Sequence, residues 1–368
     1  SDWDLSGWRF GSMNEPGVLT LRAADSLTLD ATLSDGFAGT SPGSLLQADR
    51  SWSYRLVGGA DLSSADTLAL LPAGQLAEGN GDVVVAAGKL VRTGNGAIDI
   101  AAGGNFELGK DASGINKSTA AVYTAGQSSA GLPDFTPPTL TGANPRGSAN
   151  YPTGGGDIRI QAGKNVKGAI THQLITEWLQ RQGQTNGRDG TLIKDRNPSW
   201  WVNFSKFQQN IGALGGGNVN VTAANNIDNL SVVIPTTGRL AGAANTLPLT
   251  ENLIVTGGGD LQIEAGDDIL SGIYYVGKGL GTVRAGGNIE VETVLNPTVV
   301  AQESSIFTQA TQTTHPRTYF FTYAPDSTAE FTSLAGDATF VNDVEAVQYS
   351  VAKVGRRNGI SFFNSVFN

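Results

Sequence analysis

The chain of 368 residues contains no cysteine, so a disulfide framework, a zinc-thiolate centre and a thiol nucleophile are all excluded. Charged residues are scarce at 15%, against a usual ~25%. Basic residues are outnumbered, with 24 Lys and Arg against 33 Asp and Glu and a formal charge of −9. No positive field is available to attract nucleic acid or an anionic membrane, so neither is expected as a partner. No apolar run approaches the roughly 20 residues that a bilayer requires, and no membrane insertion is expected. The opening SDWDLSGWRF has neither a basic nor an apolar leader segment. A start without Met and an end on SFFNSVFN suggest a processed piece of something longer. Absence of cysteine also suits a chain exported unfolded.

What is abundant is glycine, 49 residues, roughly twice the average usage of about 7%. The glycines mark a repeat. GGGDLQIEAGDDIL from Gly257 is matched by GNGDVVVAAGKLV from Gly79, GNGAIDIAAGGNFEL from Gly94, GGGDIRIQAGKNV from Gly154 and GGGNVNVTAANNI from Gly215. Fainter copies are GVLTLRAADSLTL from Gly17 and GTVRAGGNIEV from Gly281. The unit reads G-[D/N]-φ-x-φ-x-A-[G/A]-x-x-φ, with Leu261, Ile263 and Ile269 or Ile158, Ile160 and Val166 as its aliphatic positions. Alternation at period two marks a strand buried on one face, because a helix would space its apolar residues by three and four. Ala265-Gly266 or Ala162-Gly163 with adjacent Asp, Asn or Gly supply a tight corner.

One strand-corner-strand unit buries almost nothing until the next stacks on it at ~4.8 Å. The fold class expected is therefore all-β, a parallel β-helix, with one array over 1–368. The spacing of clear copies varies, which is read as whole coils plus excursions from the corners; about ten coils of ~20 residues would give a rod of order 50 Å.

Three segments break the pattern. Residues 110–153 are rich in Pro, Gly, Ser and Thr and read as a surface loop. Residues 171–214 carry Leu174, Ile175, Trp178 and Leu179 at helical spacing, then Trp200, Trp201, Phe204 and Phe207 with Arg181, Arg188, Lys194, Arg196 and Lys206 interleaved. This predicts a short amphipathic helix and a hydrophobic plug on the side of the solenoid. The alternative is a glycan or partner contact through Trp178, Trp200, Trp201, Phe204 and Arg196, since aromatic faces beside long polar chains hold sugar rings. Residues 293–332, with Tyr319, Phe320, Phe321 and Tyr323, read as an irregular insertion, after which LAGDATFVND resumes the coil.

No catalytic constellation is written in the sequence. Glycoside hydrolysis needs two opposed carboxyl groups. The pair Asp267-Asp268 occupies a corner where other copies have Lys164-Asn165, Gly104-Asn105 or Asn225-Asn226, so a turn role is the simpler reading. Asp82, Asp157 and Asp260 recur at one place in the repeat, with Asn218 and Ala97 elsewhere. They read as turn residues capping backbone amides, because the tandem nine-residue ladder that would bind Ca²⁺ is missing. NTD, GHG and RIK elements, HExxH, GxSxG and the phosphate-binding loop are absent, and His172 and His315 lie far apart. No cofactor, metal or enzymatic activity is expected.

Repeated GGGDxxIxAGxxI units, LRAADSLTLDATLSDGF and GGNVNVTAANNIDNLSVVIPTTGRL resemble the filamentous haemagglutinin-like large exoproteins of Gram-negative bacteria. The resemblance covers most of the chain outside the three insertions. It implies a right-handed parallel β-helix in the shaft of a secreted or cell-surface rod, exported by two-partner secretion and serving adhesion, biofilm formation or toxin delivery. Its partners would be a surface receptor or glycan and an outer-membrane secretion partner, the latter acting on an amino-terminal domain not recognisable here. No functional residue carries over, since the family's repeats are structural. Two other readings stand beside it: a fibre-forming module that self-associates through its coil edges, and a polysaccharide-active β-helix enzyme.

Overall fold

A computed structural model describes residues 1–109, 120–128, 151–171, 173, 175–182, 199–240, 253–292 and 326–341. Its strands form a parallel β-helix of three walls. Wall one holds eight strands: Val18–Ala23, Ser53–Gly58, Ile98–Ala102, Ile158–Ala162, Val219–Ala223, Leu261–Ala265, Leu280–Ala285 and Thr328–Ser333. Wall two follows it around the corner with eight shorter strands, from Leu27–Leu29 through Ile269–Leu270 to Ala338–Val341. Wall three has seven, from Trp3–Asp4 through Leu90–Thr93, Ala121–Thr124 and Val232–Ile234 to Tyr274–Val276. Each strand pairs in parallel with those of neighbouring coils. Among the described residues eight coils, at about 4.8 Å each, make a rod of about 38 Å, shorter than the ten-coil estimate.

The aliphatic alternation falls where the repeat places it. Leu261, Ile263 and Ile269 are buried in the interior, stacked on Val219, Val221 and Ile227 of the coil before. Below these lie Ile158, Ile160 and Val166. The Ala at the end of five successive wall-one strands also stacks in register, Ala102, Ala162, Ala223, Ala265 and Ala285, between Gly58 and Ser333 of the flanking coils.

A ladder of side chains runs along the corner between walls one and two. Ser26 Oγ accepts from Asp82 N, Asp82 Oδ1 from Asn105 N, Asn105 Oδ1 from Asn165 N, and Asn165 Oδ1 from Asn226 N. Asn226 Oδ1 then accepts from Asp268 N, Asp268 Oδ1 from Asn288 N, and Asn288 Oδ1 from Asp337 N, all at 2.5 to 3.2 Å. Each rung satisfies an amide that leaves the strand ladder at the turn. A shorter ladder lines the corner between walls three and one, where Asp157 accepts from Asn218 N, Asn218 from Asp260 N, and Asp260 from Leu280 N.

These ladders correct the sequence register. Asp82 belongs to the corner before wall two, with Asn105 and Asp268, whereas Asp157 and Asp260 precede wall one. The Gly79 copy is thus one wall out of phase with the other copies, because both corners write Gly, an Asx residue and alternating aliphatics. Rungs of the long ladder are separated by 56, 23, 60, 61, 42, 20 and 49 residues. The bare coil is the 20-residue one, and every longer spacing is one coil with excursions rather than several coils.

The insertion boundaries shift accordingly. Ala121–Thr124 is a wall-three strand inside the segment read as one loop over 110–153. Ile211–Ala213 and Thr328–Ser333 return to walls three and one before the expected ends of the second and third insertions. LAGDATFVND does resume the coil, with Ala338–Val341 in wall two. Tyr319, Phe320, Phe321 and Tyr323 lie outside the described residues, as do Leu174, His172 and His315. The helix is a single turn, Ile175–Trp178, after which the chain turns extended as Leu179–Gln182.

Candidate functional site

Wall three has two apolar faces. Val91, Val122, Val232 and Tyr274 point into the solenoid, while their neighbours Leu90, Tyr123, Val233 and Tyr275 point out into a second core. That outer core is closed by the aromatic insertion. Trp178, Trp200, Phe204 and Phe207 are all buried there. Phe204 stacks on Tyr123 at 6.1 Å between centroids, and Phe207 meets Tyr123 and Trp178 edge-on at 5.4 and 5.2 Å. Trp178 Nε1 donates to Gln209 Oε1 at 2.8 Å, Gln209 Nε2 donates to the carbonyl of Gln173 at 2.6 Å, and Trp200 Nε1 donates to Thr236 Oγ1 at 3.2 Å. Of the five residues singled out as a glycan contact, Trp178, Trp200 and Phe204 are therefore the plug, with no ring face open to a sugar. Arg196 lies outside the described residues. Trp201 is buried as well, but on the other side of its strand.

Trp201 belongs to a four-stranded antiparallel sheet on the flank of wall three, formed by Leu179–Gln182, Ser199–Val202, Thr236–Leu240 and Leu253–Gly257 in that order. The repeat grammar gave no sign of it. Alternation along Ser199–Val202 turns Trp200 and Val202 toward the plug and Ser199 and Trp201 to the opposite face. Gly238 pairs with Trp200, and a Cβ there would enter the indole, which is why glycine stands in the middle of a strand. Ser199 pairs with Arg239, so Arg239 shares the face of Trp201. Tyr151 donates its hydroxyl proton to Ser199 Oγ at 3.3 Å, and the hydroxyls of Thr237 and Thr256 meet at 2.9 Å. Burial pushes the Tyr151 hydroxyl up to about 12, opposed by the Ser199 hydrogen bond and the charge of Arg239.

Two guanidinium groups are buried on this flank, and they are treated differently. Arg92, with none of its surface exposed, donates from Nε to Ser34 Oγ at 2.9 Å and from Nη1 to Tyr123 Oη at 2.9 Å. Its Nη2 donates to the carbonyls of Gly39 and Ser41 at 3.0 and 2.8 Å, and its plane lies 4.0 Å from the centre of the Phe37 ring. Arg239 is 5% exposed, yet its Nε has no acceptor, and among the described residues no carboxylate pairs with it. Trp201, 2% exposed, likewise has an indole N–H without an acceptor.

The carboxylates considered for catalysis are engaged elsewhere. Asp82, Asp157, Asp260 and Asp268 each accept a backbone N–H from the next coil. Asp267 sits beside the ladder, exposed, with its own amide bonded to the carbonyl of Asn225. Among the described residues no three His, Asp or Glu side chains gather as metal ligands, and no helix is long and apolar enough to cross a membrane. Ser199 and Arg239 were not legible as a pair, because the solenoid strands from Ile211–Ala213 to Val232–Ile234 separate them in sequence and they meet only through antiparallel pairing outside the repeat. No protein-family model, curated protein or solved structure matches the chain.

Proposed function

We propose that this chain is a structural and adhesive segment of a secreted or surface-displayed bacterial exoprotein, a stiff rod that carries excursions on its flank for contact with a cell surface. The observation that carries the reading is the register of the corner ladder, which runs from Ser26 to Asp337 through every coil although the coils differ in length from 20 to 61 residues. The core is indifferent to what is inserted between its rungs, which is what a display scaffold needs. The carboxylates spent on backbone amides favour this over a polysaccharide-cleaving reading.

The test is retention of the labelled 368-residue protein on host cells, neighbouring bacteria and immobilised polysaccharides, with products assayed in the same wells. Saturable retention without cleavage is the expected result. Reducing ends or unsaturated sugars released in proportion to protein would replace the adhesive reading by an enzymatic one, and absence of retention on every surface would remove its adhesive half.

A further inference from the structure

We propose that the face of the flank sheet turned away from the plug, buried at Ser199, Trp201 and Arg239, is a binding site for an oxyanion group, a carboxylate or sulfate carried by a ligand, with Arg239 as its cation and the Trp201 indole N–H as a second donor. A buried cation without a partner is costly, and so is a buried N–H without an acceptor. Both stand here on one face of one sheet. The same flank shows what the fold does with a guanidinium that is purely structural: Arg92 has four acceptors and an aromatic plate. At Arg239 the Nε has no acceptor and, among the described residues, no carboxylate stands against the guanidinium; Ser199 directly opposite and Thr237 two residues away carry hydroxyls only.

Trp201 lies diagonal to Arg239 across the Ser199 pair, at a Cα separation of about 7 to 8 Å, close enough for one oxyanion to meet both donors. The hydroxyls of Ser199 and Thr237 stand on the same face and add polar partners without adding negative charge. A carboxylate or a sulfate presents two oxygens that suit a guanidinium, whose donors lie in one plane. Approach is from the strand Leu253–Gly257, where burial gives way to exposure at Ile254, paired with Arg239 and 39% exposed. The proposal does not rest on the adhesive reading, since an oxyanion site is compatible with a rod of any purpose.

Thermal unfolding and tryptophan fluorescence of the whole 368-residue protein are followed while formate, sulfate, glucuronate and, as an uncharged control, glucose are titrated at constant ionic strength balanced with chloride. The wild-type protein is expected to respond saturably to at least one oxyanion and not to glucose. Arg239→Met is expected to unfold at an equal or higher temperature without anion, because it removes a buried charge whose Nε has no acceptor, and to weaken the response at least about tenfold. Trp201→Phe, which keeps an aromatic ring but loses the indole N–H, should weaken it as well and serves if the first variant does not fold. A response to glucuronate alone assigns the group to an acidic sugar; equal responses to formate and sulfate assign the site to free oxyanions. A wild-type protein indifferent to all three anions, or variants that respond as the wild type does, would overturn the proposal.

Discussion

Tyr274 puts a hydroxyl where the solenoid interior offers it no partner. It faces inward from wall three beside Val232, is buried, and its oxygen has no hydrogen bond. Tyr274→Phe is therefore expected to raise stability by about 1 kcal/mol, read as a higher urea midpoint at unchanged slope. The same burial pushes the Tyr274 hydroxyl above its usual value of 10.0, as it does for Tyr54, while Tyr151 is pushed up to about 12. The sign follows from proton counting. Above pH ~10 the unfolded chain releases tyrosine protons that the folded chain keeps, so stability is full below that pH and falls as pH rises through the interval toward the folded values. Tyr274→Phe removes one of those protons, and its stability should fall less steeply between pH 10 and 12 than that of the wild type.

At the scale of the element, the unit is a strand, a corner and a strand, and its parts differ in worth. Ile263 has no exposed surface and stacks between Val221 and Val283, so Ile263→Asp buries an unpaired charge and is expected to cost more than about 4 kcal/mol. Asp268 and Asp267 are adjacent in sequence and unequal in role. Asp268→Ala loses the acceptor of Asn288 N and should cost about 1 kcal/mol, whereas Asp267→Lys should change stability by less than about 0.5 kcal/mol. Equal urea midpoints for these three variants would show that the corner register is wrong. Much of this element was readable in the sequence. The alternation of Leu261, Ile263 and Ile269 with polar residues states which face is inside, and the small residues after them state where the chain turns. What could not be read is which corner a copy occupies, since Asp82-Val-Val-Val and Asp157-Ile-Arg-Ile obey one local rule on different walls. The flank sheet was less legible still. Leu179–Gln182, Thr236–Leu240 and Leu253–Gly257 share no motif, and nothing in PTTGRL announces that its arginine is buried opposite Ser199.

For the whole molecule, three walls around one apolar interior explain how so irregular a sequence holds one fold. Each coil contacts only its neighbours, so an excursion of any length is tolerated provided that the chain returns in register. The excursion that carries the plug leaves after Val166–Lys167 and returns at Ile211–Ala213, and it gives wall three a covered outer face. The one that carries Arg239 leaves after Val232–Ile234 and returns at Leu261–Ala265, adding two strands to the flank sheet. The aromatic cluster that the sequence offered as a sugar platform has been divided by this arrangement, three of its rings becoming core and Trp201 facing the other way.

The central claim is that coils separated by as many as 61 residues of sequence are stacked neighbours in one parallel array. A chain without cysteine allows it to be tested directly by disulfide mapping. Arg159 and Asn220 are paired in parallel register on the outer face of wall one, on either side of the plug excursion. The double variant Arg159→Cys, Asn220→Cys is expected to cross-link within one chain under mild oxidation, because paired strands bring Cα atoms within the range a disulfide spans. Arg159→Cys with Val221→Cys, whose side chain points into the core, should not. Cross-linking of the first pair and not the second is the result predicted here; no cross-link in the first pair, or equal yields in both, would contradict the stacked-coil register on which the rest depends.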